Sequence, residues 1–166
     1  MFVISIDPAT TSGITIFKDN KPVEFFLIKL KKDYRVQLFN CILFLIDKYN
    51  PTSICLEDYK VGTFKNAAEK SYGIREIIKL VCELKNVKYK TIMVSNWKNY
   101  LLGKYSTKQA KAKYGKDFNK IIIKNKLDEL GYILPEKIEN LCNNKKYKTT
   151  YDVYDSLAIG LYYLNS

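Results

Sequence analysis

Four acidic residues stand where a carboxylate is costly unless it is used. Asp7 closes the apolar run Phe2-Val3-Ile4-Ser5-Ile6, and Glu57 closes Ile54-Cys55-Leu56. Asp152 and Asp155 lie one helical turn apart among Val153, Tyr154, Leu157, Ala158, Ile159 and Leu161. If the strands ending in Asp7 and Glu57 are neighbours, and the helix carrying the other pair packs on them, four negative charges face one corner of the core. Such a cluster repels itself and disfavours its own ionisation. A divalent cation held by oxygen ligands resolves the conflict, and Mg2+ suits carboxylates that leave room for retained water. Each acid alone has a plainer role: Asp7-Pro8 as turn chemistry, Asp152 as an acid near a helix start, Glu57-Asp58 as a polar strand exit. The four together, in a chain of net charge +11, favour the cation site.

Composition excludes several other chemistries. Histidine is absent, which removes Ser-His and Cys-His nucleophiles. Cys41, Cys55, Cys82 and Cys142 form no C-x-x-C pair, so a zinc site has little to work with. Cys41, Cys55 and Cys82 have apolar neighbours and read as small buried hydrophobes in the reduced state. No run approaches the ~18 apolar residues of a membrane helix, and Met1-Phe2-Val3-Ile4 lacks the basic start of a signal peptide. The expectation is a soluble protein of the cytoplasm that binds no membrane.

The elements that must position the acids follow from periodicity. Residues 2–7 alternate and are β-branched, which predicts a strand; Pro8 to Gly13 is a turn, and Gly13 to Phe17 a second strand. Lys18 to Pro22 is a tight connection before a third strand, Val23 to Leu30, so the three form an antiparallel meander. Val36, Phe39, Leu43 and Ile46 then recur at helical spacing and stop before Asn50-Pro51. Residues 53–57 predict a short strand, Asn66 to Leu84 a helix, Val87 to Val94 a fifth strand and Ser95 to Leu102 a short helix. After a lysine-rich loop come helices at about Asp117 to Leu130 and Thr150 to Leu164. The order is β-β-β-α-β-α-β-α-α. It predicts an α/β fold with a mixed five-stranded sheet, three antiparallel strands followed by parallel ones, flanked by helices on both faces. A length of 166 residues and 47% hydrophobic content suit one domain over residues 1–166.

The charge points to an anionic partner, of which nucleic acid is the commonest. Some of the lysine excess has a second explanation, the Lys-, Asn-, Ile- and Tyr-rich coding of an AT-rich genome. The excess is nevertheless concentrated. Between Trp97 and Lys126 lie Lys98, Lys104, Lys108, Lys111, Lys113, Lys116, Lys120, Lys124 and Lys126, opposed by Asp117 and interleaved with Tyr100, Tyr105 and Tyr114. Lysines contact phosphates without reading sequence, and aromatic rings stack on unpaired bases. Trp97 fits that role or a place in the core. Lys70, Gly73 and Arg75 open the second helix, where backbone N–H groups and cations suit phosphate.

At these residues the chain resembles the RuvC-type Holliday junction resolvases of the RNase H-like superfamily. Ile4-Ser5-Ile6-Asp7-Pro8-Ala9-Thr10-Thr11-Ser12-Gly13 is similar to that family's opening strand and turn, with Ala9 in place of the usual glycine. Ile54-Cys55-Leu56-Glu57 resembles the strand with the catalytic glutamate. Tyr151-Asp152-Val153-Tyr154-Asp155-Ser156-Leu157-Ala158-Ile159-Gly160 resembles the C-terminal helix, with Ser156 for alanine, and Ser95 to Gly103 resembles the lysine-bearing helix before it. The resemblance implies two Mg2+ ions, with Mn2+ able to substitute, held by Asp7, Glu57, Asp152 and Asp155, with Asp7 as bridging ligand. It implies that Lys98 stabilises the charge on the phosphate, with Lys108 or Lys111 as a second such lysine. It implies DNA contacts from the loop after Glu57, where Tyr59 or Phe64 would wedge into a junction, and from Lys65, Lys70, Arg75, Lys104, Lys108 and Lys111. The implied function is a homodimeric, metal-dependent endonuclease that resolves four-way junctions, with no small-molecule cofactor. Other branched DNA, RNA–DNA hybrids, and junction binding without catalysis are the alternatives. The composition looks like that of a phage or low-GC bacterial member, acting in a bacterial cytoplasm.

Overall fold

The computed structural model describes residues 1–31, 34–58, 65–103 and 112–166; of residues 65–71 and Lys116 it describes the backbone alone. Strands β1 (Phe2–Asp7), β2 (Thr11–Lys18) and β3 (Lys21–Lys29) form the expected meander. Asp19 and Asn20, both at positive φ, make the two-residue turn between β2 and β3, a conformation their short polar side chains tolerate. Helix α1 (Tyr34–Tyr49) stops at Asn50, also at positive φ and followed by Pro51. Strand β4 (Ser53–Asp58), helix α2 (Lys65–Leu84), strand β5 (Lys88–Met93) and helix α3 (Val94–Leu102) come next. Beyond a 3-10 turn at Gly115–Asp117 lie helix α4 (Phe118–Glu129), strands β6 (Lys137–Asn140) and β7 (Lys145–Lys148), and helix α5 (Tyr151–Asn165). Among the described residues no helix is long and apolar enough to cross a membrane.

The sheet runs β5-β4-β1-β2-β3-β6-β7. It contains the five expected strands in the expected mixed arrangement, with β4 parallel to both β1 and β5. Two strands were not expected. The β6–β7 hairpin joins the free edge of β3, with β6 parallel to β3 and β7 antiparallel to β6. Its strands are four residues each, and β7 reads Lys-Lys-Tyr-Lys, a composition poor in strand signal.

Alternation along β1 divides the molecule. Ile4 and Ile6 face α1 and α2, where they meet Leu38, Ile42, Leu45, Ile74 and Ile78. Val3 faces the other way, into a cluster with Phe17, Leu27, Cys55, Trp97, Ile123, Leu127, Val153 and Leu157 beneath α3, α4 and α5. Ser5 and Asp7 share the face of Val3, so period-two geometry aims Asp7 at α5. On α1 the apolar spacing predicts the helix but not the buried side: Leu38, Cys41, Ile42, Leu45, Ile46 and Tyr49 are buried, while Val36 is 70% exposed.

A seam of small residues seats α5. The Ser5 hydroxyl donates to the Ser156 carbonyl at 2.6 Å, and Thr15 Oγ1 and Ser156 Oγ lie 2.8 Å apart. Gly160 lies against the Phe17 ring, and Gly13 lies against the α5 backbone, where a Cβ would stand 1.9 Å from the Asp152 carbonyl oxygen. Gly13, the third residue of β2, is therefore a contact requirement. In the turn before it, the Ala9 N–H donates to Ser12 Oγ and the Ala9 carbonyl accepts from the same hydroxyl. Gly13→Ala must displace backbone; it is expected to destabilise the protein by about 2 kcal/mol or more in chemical denaturation. Wild-type stability in that variant would remove the seam from its role in seating α5.

Candidate active site

Parallel pairing of β1 with β4, in register at Ile6 and Leu56, sets Asp7 and Glu57 side by side at the ends of adjacent strands. Both are buried, at 4% and 3% exposure, and their carboxyl groups hydrogen-bond each other. The Asp7 pKa is held well above the usual range, first by burial, then by the charges of Glu57, Asp155 and Asp152. From α5, Asp155 is pushed up to about 7 from its ordinary 3.8: burial and Glu57 raise it, Lys98 opposes them, Asp152 raises it further and Lys120 opposes. Among the described residues its Oδ1 is buried without a hydrogen-bond partner, although the residue as a whole is partly exposed. Asp152, one turn earlier, accepts from the Thr150 hydroxyl at 2.9 Å.

Helix α3 contributes a donor. Trp97 is fully buried, and its indole Nε1 donates to Glu57 Oε1 at 2.9 Å. The contact fixes one oxygen of Glu57 without adding charge. Lys98 Nζ sits 5.1 Å from the Trp97 ring centroid and its charge acts on Asp155. Lys120, from α4, lies 5.8 Å from the Tyr151 ring and also acts on Asp155.

The structure thus brings Asp7, Glu57, Asp152, Asp155 and Lys98 into one electrostatic neighbourhood. Arg75 is placed differently from the phosphate contact expected of it: 5% exposed, it pairs with Asp58 at 2.6 Å and ties α2 to the end of β4. Lys65 and Lys70 lie on α2, their side chains beyond what is described; Tyr59, Phe64, Lys104, Lys108 and Lys111 lie outside the described residues. Trp97, which by sequence fits either the core or base stacking, is buried and its indole is a carboxylate donor. Lys120 is one lysine of nine in the basic tract, and no local signal separates it from its neighbours.

The donor set fits a hard divalent cation. It consists of carboxylate oxygens, one of them orphaned, steadied by a neutral N–H. Among the described residues no group of three or more acidic or thiol side chains is placed so that it could hold a metal ion. Mg2+, which keeps several waters, does not require such a group.

A mixed sheet whose adjacent strands β1 and β4 end in acids, overlaid by an acidic helix, is the RNase H-like arrangement the sequence predicts. No protein-family profile and no curated protein sequence matches the chain. Solved structures do. Thermus thermophilus RuvC in complex with a Holliday junction substrate superposes with a TM-score of 0.67 at 14% identity, over 99% of this chain and 92% of that one. A second structure of Thermus thermophilus RuvC gives 0.65 at 14% identity, over 99% and 93%. The yeast mitochondrial Holliday junction resolvase Ydc2 gives 0.54 at 17% identity, over 98% and 77%. What is shared is the fold: this chain has the RuvC-like form of the RNase H-like architecture.

The raised carboxyls make a thermodynamic prediction. A carboxyl whose folded pKa exceeds its unfolded value stabilises the fold only while protonated. For Asp155 that contribution is complete below about pH 4 and is lost as the pH climbs through about 7. In metal-free buffer at pH 8, Asp155→Asn should therefore be more stable than wild type by on the order of 1–3 kcal/mol, the advantage fading towards pH 4. Urea denaturation of both proteins across that range checks it; a variant less stable than wild type at pH 8 would contradict the charge cluster.

Proposed function

We propose that this chain is a divalent-metal-dependent endonuclease that cuts branched DNA, four-way junctions foremost, acting as a homodimer. The observation that carries this reading is the buried Oδ1 of Asp155, without a hydrogen-bond partner among the described residues, beside the Asp7–Glu57 pair. A carboxylate oxygen withdrawn from water with no donor is unfavourable unless a cation completes it. The RuvC fold supports the reading, and a neighbour with that fold is seen with a Holliday junction substrate.

Asp7, Glu57, Asp152 and Asp155 would hold two Mg2+ ions, or Mn2+. Bound there, they would supply Lewis-acid stabilisation of a phosphate and acidify a water. The chain's own groups do the rest. The Trp97 indole holds Glu57 in one orientation, and Asp7 is buried beside it. Lys98 and Lys120, whose charges both act on Asp155, would place positive charge where negative charge grows on a phosphate under attack. A dimer suits the symmetry of a four-way junction, since two opposed strands need two equivalent sites. We place its action in the cytoplasm of a bacterium, encoded there or by a phage, with residues 1–166 as one functional domain.

Nicking of a synthetic four-way junction should require Mg2+ or Mn2+ and fall about 1,000-fold or more in Asp7→Asn, the loss of several kcal/mol expected of a metal ligand. Trp97→Phe, which keeps the bulk and deletes the N–H, should lose about 10- to 100-fold. Linear duplex, flap and RNA–DNA hybrid controls fix the substrate. Undiminished cleavage by Asp7→Asn would overturn the site, and preference for a hybrid would overturn the substrate.

A further inference from the structure

The unexpected hairpin does more than extend the sheet. Hydrogen-bonded register places Asp7 opposite Gly13, Gly13 opposite Leu27, Leu27 opposite Asn140 and Asn140 opposite Lys145. Directly paired residues share a face, and here it is the α5 face: Leu27 and Ile138 are buried in the cluster beneath α3, α4 and α5, and Tyr147 packs against it. Lys145 therefore projects from the same side of the sheet as Asp7. It stands four strands away, about 19 Å at ~4.8 Å per strand. Lys29, two residues beyond Leu27 on the same face, sits 4.0 Å over the Tyr147 ring and so stands beside Lys145.

The hairpin is firmly built. Asn140, 2% exposed, accepts at Oδ1 from the backbone N–H of Lys29 at 3.1 Å and of Cys142 at 3.3 Å. Leu141 N–H donates to the Leu27 carbonyl, Asn144 N–H to that of Asn140, and Asn143 Nδ2 to the Tyr147 hydroxyl. At the tip, Cys142 Sγ lies 3.9 Å from Cys41 Sγ of α1. Among the described residues no acidic side chain is ion-paired to Lys29 or Lys145. Lysines on an edge strand also guard against strand addition. Lys146 and Lys148 on the opposite face already serve that end, and Lys29 is not on the edge.

The geometry points to a phosphate clamp: Lys29 and Lys145, carried by β3 and the β6–β7 hairpin, grip the backbone of a duplex arm whose scissile phosphate lies at Asp7. This rests on the nuclease reading above. A separation of ~19 Å corresponds to about five or six base pairs of axial rise at ~3.4 Å each, near half a helical turn. The contact is to backbone, sequence-independent, and salt-sensitive.

The test compares three proteins binding a synthetic four-way junction, with Ca2+ replacing Mg2+: wild type, Lys29→Glu/Lys145→Glu, and Lys18→Glu/Lys21→Glu. The last makes the same charge change at the opposite end of the sheet, where both lysines are exposed. The slope of log K against log salt should become shallower by about 2 in the first double variant and stay at the wild-type value in the second. Affinity at 150 mM salt should drop at least about 10-fold in the first alone. Hydroxyl-radical protection about five or six base pairs from the nick should vanish with it. Lys29→Gln/Lys145→Gln, which adds no acid to the hairpin, should show the same shift and guards against misfolding. Equal slopes in all proteins, or equal loss in the control variant, overturn the clamp while leaving the nuclease reading standing. A wild type that binds no branched DNA overturns both.

Discussion

Helix α5 rests on the backbone of β2 at Gly13, with no side chain between them. Nearly every other feature of the site is set by that contact. Lifting the helix by the width of a methyl group would withdraw Asp155 from Asp7 and Glu57, and would open the hydroxyl seam of Ser5, Thr15 and Ser156. The closeness has a geometric consequence. A carboxylate on a helix reaches carboxylates on strand ends only if the helix rides low. Small residues at three successive levels, Gly13, Ser156 and Gly160, let it do so along most of its length.

What this close seat creates is electrostatically unfavourable in isolation. Asp7 and Asp155 are held out of water beside other acids, and the raised pKa values register the cost. Around them the chain supplies opposing charge sparingly: Lys98 and Lys120 act from the rim, and Trp97 offers a neutral hydrogen bond to Glu57. A lysine in the place of Trp97 would have satisfied the cluster internally. The indole leaves the negative potential of the acids uncompensated, which under the proposed function would be available to a cation. The ion pair between Arg75 and Asp58 shows the alternative: one residue past Glu57, an acid is paired with a buried guanidinium that ties α2 to the end of β4.

The edge of the sheet away from β5 carries a second consequence of register. In an ordinary hairpin extension the added strands would cover the free edge of β3 and contribute little else. Here β6 is parallel to β3, so it runs in the same direction as β1 and ends on the same side as the carboxylates. Lys145, the first residue of β7, consequently lies level with Asp7 on the same face, and the cation stacked on Tyr147 stands beside it. The positive charge that composition reveals only in sum has, at this edge, a definite distance from the acids.

Much of the architecture could be read from the chain. The meander, the alternation of strand and helix after it, and the acids at strand ends follow from local period and residue type, because burial on one face imposes a repeat of 2 or 3.6 wherever an element forms. The hairpin could not be read, since Lys145 to Lys148 carry no apolar alternation and owe their strand form to pairing with β6, which itself docks on the edge of β3. The buried side of α1 was hidden as well: apolar residues occupy several of its faces, and only the sheet beneath decides that Leu38 and Ile42 go in while Val36 stays out. Local sequence therefore determined which residues are acidic, where they fall in their elements, and that β1 begins the sheet. Tertiary structure alone decided that Trp97 serves Glu57, that Arg75 turns inward and that Lys120 faces Asp155. These are contacts between residues distant in the chain, and their geometry exists only once the helices are seated on the sheet.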